Sequence, residues 1–323
     1  MNILFCSAGR RVELLKDFRK SMDSTDRIIA VDLSGLAPAL YVADAYYIVP
    51  RIDDPSYLDM IFDICRKEEV NAITTLIDPE IELLAKNRTL FKEIGVEVLA
   101  PFTETAKLCF NKYNMYQYLT AHGIPTPETW GDYNSAMASV KSGNLSFPVF
   151  VKPRMGSGSV GARKVQDADT LKALCEADPS LIIQRLMNGV DLDADVYIDT
   201  ISHNAVSAFS KRKLETKIGG ASKTISFKDE KLFSFIREIT SLLKFNGPVD
   251  MDFFYQDGTY YLSEINPRFG GAYLHAYGAG VDFIKLIKNN LNGFENVPSF
   301  GDYEENVVMM MYDSVIIKKI DKV

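Results

Sequence analysis

Two short runs constrain this chain more than anything else in it. The first is Phe150-Val151-Lys152-Pro153-Arg154-Met155-Gly156-Ser157-Gly158-Ser159-Val160-Gly161, in which an apolar strand carries a lysine to the lip of a glycine- and serine-rich loop. Glycine lets a backbone approach its ligand closely, so the N–H groups of such a loop can close over phosphate oxygens. The second run is Gly247-Pro248-Val249-Asp250-Met251-Asp252, continuing to Ser263-Glu264-Ile265-Asn266-Pro267-Arg268. Side chains alternate along a strand, so Asp250 and Asp252 share one face, and Glu264, Asn266 and Arg268 share a face of the next strand. Oxygen donors of this kind suit a hard cation such as Mg²⁺. The turn around Gln256-Asp257-Gly258 decides whether the two faces coincide. A three-residue turn brings Asp252 opposite Glu264 and a two-residue turn separates them; the chemistry needs the first, which is therefore expected. A phosphate cradle beside a Mg²⁺ seat points to a nucleoside triphosphate.

Other phosphate loops do not fit. A P-loop needs Lys-Ser/Thr after its last glycine, and Ala162-Arg163 follow Gly161. Neither the catalytic-loop nor the Asp-Phe-Gly signature of a protein kinase occurs. A dinucleotide fingerprint needs three glycines, whereas Ser7-Ala8-Gly9-Arg10-Arg11 has one, although Asp32 follows at a plausible distance for a ribose-binding acid.

The 323 residues, 47% hydrophobic, can bury two or three cores. A net charge of −7 argues against a nucleic-acid partner. Cys6, Cys65, Cys109 and Cys175 are isolated and read as reduced thiols of a cytoplasmic protein. The first residues enter a strand without a leader pattern, and no apolar run reaches membrane-spanning length.

Strands are expected at 1–6, 27–32, 44–49, 72–76 and 97–100, with helices at 10–20, 55–68 and 80–93. That alternation predicts a parallel sheet covered on both faces. Ser7, Gly9, Arg10 and Arg11 fall at a strand's C-terminal end, where such sheets place ligands; the arginines read equally as anion-binding or as solvated. Asp78 either joins that edge or serves as an N-cap before Glu80. A boundary is expected at 102–108, then a helix from Asn111 to His122, the lysine strand, a helix at 169–176 and a strand at 181–187. Further strands are expected at 192–200 and 204–212, a loop over the cleft at Gly219-Gly220-Ala221, a helix at 229–245, the acidic hairpin and a last strand at 306–317. His275 reads as packed more readily than as a substrate contact.

The ordered set, from strand lysine and Gly/Ser loop through a linker strand to acid…Glu-x-Asn-x-Arg, resembles the ATP-grasp superfamily over roughly residues 110 to 290, and most of all one ATP-grasp unit of a carbamoyl phosphate synthetase large chain. The resemblance implies an α/β to α+β fold: a pre-ATP-grasp parallel-sheet domain (1–108), an N-terminal subdomain (109–188) and a C-terminal subdomain (189–323). It implies that ATP is held by Lys112, Lys152 and the lid Gly156, Ser157, Gly158, Ser159 and Gly161. The adenine edge would be read along Gln184, Arg185, Leu186 and Met187, and the ribose by Asp191, with Asp193 and Asp195 as alternatives. Asp252, Glu264 and Asn266 would bind Mg²⁺, for which Mn²⁺ could substitute. Arg268 and Arg212 would meet charge on the transferred group. The resemblance further implies a ligase that activates a small-molecule carboxylate as an acyl phosphate for attack by an amine, either as a homodimer or with a partner subunit. A bicarbonate- or carbamate-phosphorylating component and a non-catalytic ATP-binding regulator are the alternatives.

Overall fold

The computed structural model describes residues 1–156, 158, 160–217 and 220–320. Strands β1 (Asn2–Cys6), β2 (Arg27–Asp32), β3 (Ala45–Ile48), β4 (Ala72–Thr75) and β5 (Glu97–Val98) form an all-parallel sheet in the order β3-β2-β1-β4-β5. Helices α1 (Val12–Ser21), α2 (Tyr57–Lys67), α3 (Asp78–Lys86) and α4 (Arg88–Glu93) cover it. The central strands are mostly apolar because both faces are buried, with Thr74 and Thr75 of β4 as buried polar exceptions. The helix expected over 80–93 is two helices. At the break, Asn87 turns its amide back to the Leu83 carbonyl at 2.8 Å, the local competition with helix bonding that asparagine offers.

No open linker follows. Residues 103–110 form α5 (Thr103–Phe110), and α6 (Lys112–Ala121) starts at once with Asn111 as its N-cap, accepting from the Asn114 N–H at 3.1 Å. Next come β6 (Thr129–Trp130), α7 (Tyr133–Lys141), β7 (Val149–Pro153), β8 (Arg163–Val165), α8 (Ala168–Ala177) and β9 (Leu181–Arg185). Their four strands make an antiparallel sheet in the order β6-β9-β7-β8. This unit has its own small core of Ala136, Leu145, Val149, Val151, Val165, Leu171, Leu181 and Ile183.

The third sheet contains β10 (Val190–Ile198), β11 (Ala205–Lys217), β12 (Gly220–Phe227), β13 (Gly247–Gln256), β14 (Thr259–Asn266), β15 (Ser299–Phe300) and β16 (Val308–Met310). Its order is β14-β13-β10-β11-β12-β16, with β15 beside β11. Helices α9 (Glu230–Leu242), α10 (Tyr273–Gly278) and α11 (Phe283–Leu291) accompany it. Gly220 and Ala221, expected in a loop, open β12 instead; Gly219, like Ser157 and Ser159, lies outside the described residues. The last strand is only Val308–Met310, shorter than expected.

The first and third sheets share one core. Phe5 and Phe18 from the parallel sheet and α1 join Met251, Phe253, Phe269 and Tyr273 in one buried cluster, and the Phe18 and Phe269 rings meet edge to face at 5.5 Å. Asn246 Nδ2 donates to Glu97 Oε1 at 2.8 Å and to the Val98 carbonyl at 2.9 Å across the same junction. Among the described residues no helix is long and apolar enough to cross a membrane.

Candidate active site

A cleft of about 530 Å³ separates the four-stranded sheet from the large sheet, and the parallel-sheet unit closes its inner end. Most of the singled-out residues meet there: Lys112, Lys152, Gly156, Gly158, Gln184, Arg185, Leu186, Met187, Asp191, Asp252, Glu264, Asn266 and Arg268 all line it. Gly161 does not; its backbone lies beside Pro153, 3.2 Å from where a side chain would begin, with φ +78°.

Lys112 opens α6, and its amine donates to the Gly156 carbonyl and sits 3.4 Å from Glu264 Oε1. It therefore joins the loop to the acidic hairpin. Lys152 on β7 is buried; burial pushes its amine below the usual lysine value, although Glu264 opposes the shift. A buried lysine with no ion pair among the described residues needs an anion to offset its desolvation. Gln184 spends its amide on Thr129 Oγ1 at 3.0 Å. Arg185 lines the cleft but turns its guanidinium to Glu128, Nε to Oε2 at 2.7 Å, so that charge is already paired. Phe150, Leu186, Met187 and Phe254 add apolar surface to that end of the cleft.

The hairpin corrects the expected turn while keeping the pairing. Gln256 faces Thr259 across a two-residue turn in which Asp257 has φ +51° and Gly258 φ +80°, the signature of a type I′ turn. Alone, that turn would set Ser263 opposite Asp252. Ser263 is instead the extra residue of a β-bulge, so Asp252 pairs with Glu264 and Asp250 with Asn266. Asn266 Nδ2 reaches Asp250 Oδ2 and Asp252 Oδ2, each at 3.4 Å, which leaves its carbonyl oxygen available. Two carboxylates and an amide oxygen form a hard donor set that fits Mg²⁺.

Beyond the hairpin, β10 sets Asp193 opposite Asp252 and Asp195 opposite Asp250. Lys211 on β11 is completely buried against Asp193 Oδ1 at 3.0 Å and Asp195. Lys213 pairs with Asp191 Oδ1 at 3.0 Å and with Asp252. Burial opposes its charge, but Asp252, Asp193 and Asp191 hold it well above the usual lysine value. Arg212, expected to serve the transferred group, is exposed and absent from the cleft lining. The strand runs on to Lys217, and its alternation turns Arg212 away from the face that carries Lys211 and Lys213. The same alternation could have identified Lys213, had the strand not been ended at Arg212. Burial pushes the Asp191 carboxyl up. Burial together with Asp193, Asp252 and Asp195 does so strongly for Asp250, and burial takes Asp195 to about 6.

The inner end is built by the parallel sheet. Its order reverses at β1 and β4, and ligand crevices form where strand order reverses. The residues after β1 and β4 accordingly deliver Arg11 and Asp78. Arg11 donates to the carbonyls of Gly270 at 2.9 Å and Phe269 at 3.2 Å, and burial pushes it down to about 10, with Arg268 adding to the shift. Asp78 pairs with Arg268, Oδ1 to Nε at 2.9 Å; it is not the N-cap of α3, which is Ile77, and as the first helical residue it caps nothing with its side chain. Arg10 is exposed. Asp32 builds the turn itself, accepting from the Gly9 N–H at 2.8 Å. His275 is buried outside the cleft with its Nδ1 2.7 Å from Thr224 Oγ1; burial, helped by Lys211, pushes it down to about 4.

Residues 3–99 match the family described as PylC-like, N-terminal domain, and residues 109–272 match the family described as ATP-grasp domain. The second match takes in half of the sequence, and the chain belongs to the ATP-grasp family. It is similar to the formate-dependent phosphoribosylglycinamide formyltransferase of Haloquadratum walsbyi, 26% identical over 259 residues that cover 74% of this chain and 61% of the relative. It is also similar to the carbamoyl phosphate synthase large chain of Thermoplasma acidophilum, 23% identical over 250 residues, 70% of this chain and 23% of that one. The chain thus spans only part of the length of these curated relatives. Among solved structures, N5-carboxyaminoimidazole synthetase from Staphylococcus aureus complexed with ADP superposes with a TM-score of 0.76 at 16% identity, covering 96% of this chain and 81% of that one. At that identity the likeness is one of fold.

Proposed function

We propose that this protein is an ATP-dependent ligase. The γ-phosphoryl group of ATP passes to a carboxylate oxygen, giving an acyl phosphate and ADP. An amine then attacks the acyl carbon, phosphate leaves, the amine gives up a proton and an amide results. The observation that carries this reading is the convergence of Lys112 and Lys152 with Asp252, Glu264 and Asn266 in one cleft. Cations suited to phosphate thus stand against oxygen donors suited to a divalent metal. The cleft volume of about 530 Å³ suits a nucleotide with a small substrate.

In this reading Lys112, Lys152 and the loop from Gly156 to Gly161 grip the triphosphate. Lys213 takes the role expected of Arg212, its charge already directed at the face where phosphate would lie. Asp252, Glu264 and Asn266 hold Mg²⁺, or Mn²⁺ in its place, which when bound neutralises phosphate charge. The strand end Gln184 to Met187, beside Phe150, receives adenine, and Asp191 the ribose. Arg268, fixed by Asp78, faces the charge that develops on the transferred group. The chain's contribution is mainly positioning and charge neutralisation.

The test is phosphate release from Mg-ATP across carboxylates, each with and without amines, and bicarbonate with ammonia. Stimulation by one carboxylate–amine pair, abolished in Glu264→Gln, is the expected result. ATP binding without stimulation by any of them would remove the ligase reading, and stimulation by bicarbonate alone would move it to carbamoyl phosphate chemistry.

A further inference from the structure

Two carboxylates of the acidic hairpin are each held by a lysine from another element. Lys213, on β11, pairs with Asp252 and lies 3.0 Å from Asp191 Oδ1. Lys112, which opens α6, stands 3.4 Å from Glu264 Oε1 and donates to the Gly156 carbonyl. Both lysines are shielded, their side chains 14% and 13% exposed, so salt and water screen these pairs less than they would surface pairs. Lys152 brings the same charge to the same cleft but forms no ion pair among the described residues.

A carboxylate oxygen that accepts from an ammonium group has its charge already matched. Asp252 and Glu264 can therefore receive a divalent cation only as Lys213 and Lys112 let go, because like charges at contact distance repel strongly in a shielded site. A triphosphate changes that balance. Its oxygens offer each ammonium group a new partner, and the flexible four-carbon stem of lysine lets the charge swing across. The remaining partners of the two lysines also belong to the nucleotide end of the cleft. Asp191 is the residue proposed for the ribose, and Gly156 lies in the loop proposed for the phosphates. One movement of each lysine thus frees a metal ligand and meets a phosphate.

We propose that Lys112 and Lys213 are counter-ion gates on the metal seat: they hold Glu264 and Asp252 against a free divalent cation and release them when a nucleoside triphosphate arrives. The inference rests on reading this cleft as a nucleotide and metal site, and it adds the order in which that site fills.

The experiment is titration of the full chain with Mn²⁺ in the absence of nucleotide, read as loss of the electron paramagnetic resonance signal of the free ion. Lys213→Met and Lys112→Met should each bind Mn²⁺ at least about tenfold more tightly than wild type, the scale of removing one charge beside a carboxylate. Each should also bind a metal-free, non-hydrolysable ATP analogue about tenfold more weakly, as expected for a lost charged hydrogen bond. Lys152→Met removes an equal charge but no ion pair, and should tighten Mn²⁺ binding by about threefold or less. Unchanged or weaker Mn²⁺ binding in both gate variants, or an equal gain in Lys152→Met, would overturn the gate. Should a methionine variant fail to fold, Lys213→Gln and Lys112→Gln keep a polar group in place and should show the same gain. Because binding is read without turnover, the two readings fail separately. Tighter Mn²⁺ binding with no substrate-stimulated phosphate release would sink the ligase reading and leave the gate standing, whereas stimulated release with no tightening would sink the gate alone.

Discussion

Lys213 shows how one residue's role follows from strand parity. Its amine lies against Asp191 and Asp252, while its neighbour Arg212 is exposed. Lys213→Met should therefore lower substrate-stimulated phosphate release by roughly 10²-fold, the scale of losing one preorganised group that stabilises developing charge. Arg212→Ala should stay within about twofold, as surface changes usually do. Steady-state assays of both variants at saturating substrate would decide; comparable losses in the two would reassign the role to Arg212. Lys152 and Glu264 could be read from their motifs because their chemistry is local. Arg11 and Asp78 could be seen only as candidates at a sheet edge, since what gives them purpose, the carbonyls of residues 269 and 270 and the guanidinium of Arg268, lies far along the chain.

At the scale of elements, the acidic hairpin depends on two compensating features. The type I′ turn suits the twist of the flanking strands, and the bulge at Ser263 returns Glu264 to the face of Asp252. The sequence signalled the turn through Asp257-Gly258 but carried no comparable mark for the bulge, so the correct pairing was expected by way of the wrong loop length. Gly189, at the entry to β10, has a clearer signature. A Cβ there would lie 2.4 Å from the Tyr255 carbonyl oxygen, which is backbone and cannot swing aside. Gly189→Ala should cost about 1–3 kcal/mol, the usual penalty for overpacking, and should weaken nucleotide binding by shifting Asp191, which lies two residues on. Urea denaturation together with nucleotide titration would test this; an alanine variant with unchanged stability would show that β10 and β13 can separate there at no cost.

Across the whole molecule, the parallel sheet and the large sheet share one core, while the four-stranded unit has its own. The cleft is thus bounded by two bodies rather than by three equal ones. Asp199, at the far end of β10, anchors the larger body. Its carboxylate accepts from Asn290 Nδ2 at 2.7 Å, from Asn296 N and Nδ2 at 2.9 Å each, and from the N–H groups of Ile201 at 3.0 Å and Ser202 at 2.9 Å. Burial opposes its charge, but these bonds outweigh it and bring the group down from 3.8 to about 2. Because the folded value is depressed, the stabilisation is complete above about pH 4 and is lost as pH falls through about 2. Asp199→Asn should be less stable than wild type by about 2 kcal/mol at pH 5, with the gap narrowing toward pH 2. Denaturant unfolding at several pH values would measure it, and a gap independent of pH would contradict the assignment.

The amino-acid sequence alone determined the strand–helix alternation of the first hundred residues, the lysine strand with its loop and the acidic hairpin, because periodicity, glycine placement and donor type are local properties of the chain. It could not determine that α5 would bridge the expected boundary, that Arg212 would face outward, or that the residues after β1 and β4 would close the cleft. Those outcomes depend on how far β11 extends, where β14 bulges and which sheet faces pack together. They are settled by burying apolar surface between residues distant in sequence, and only the tertiary structure expresses that.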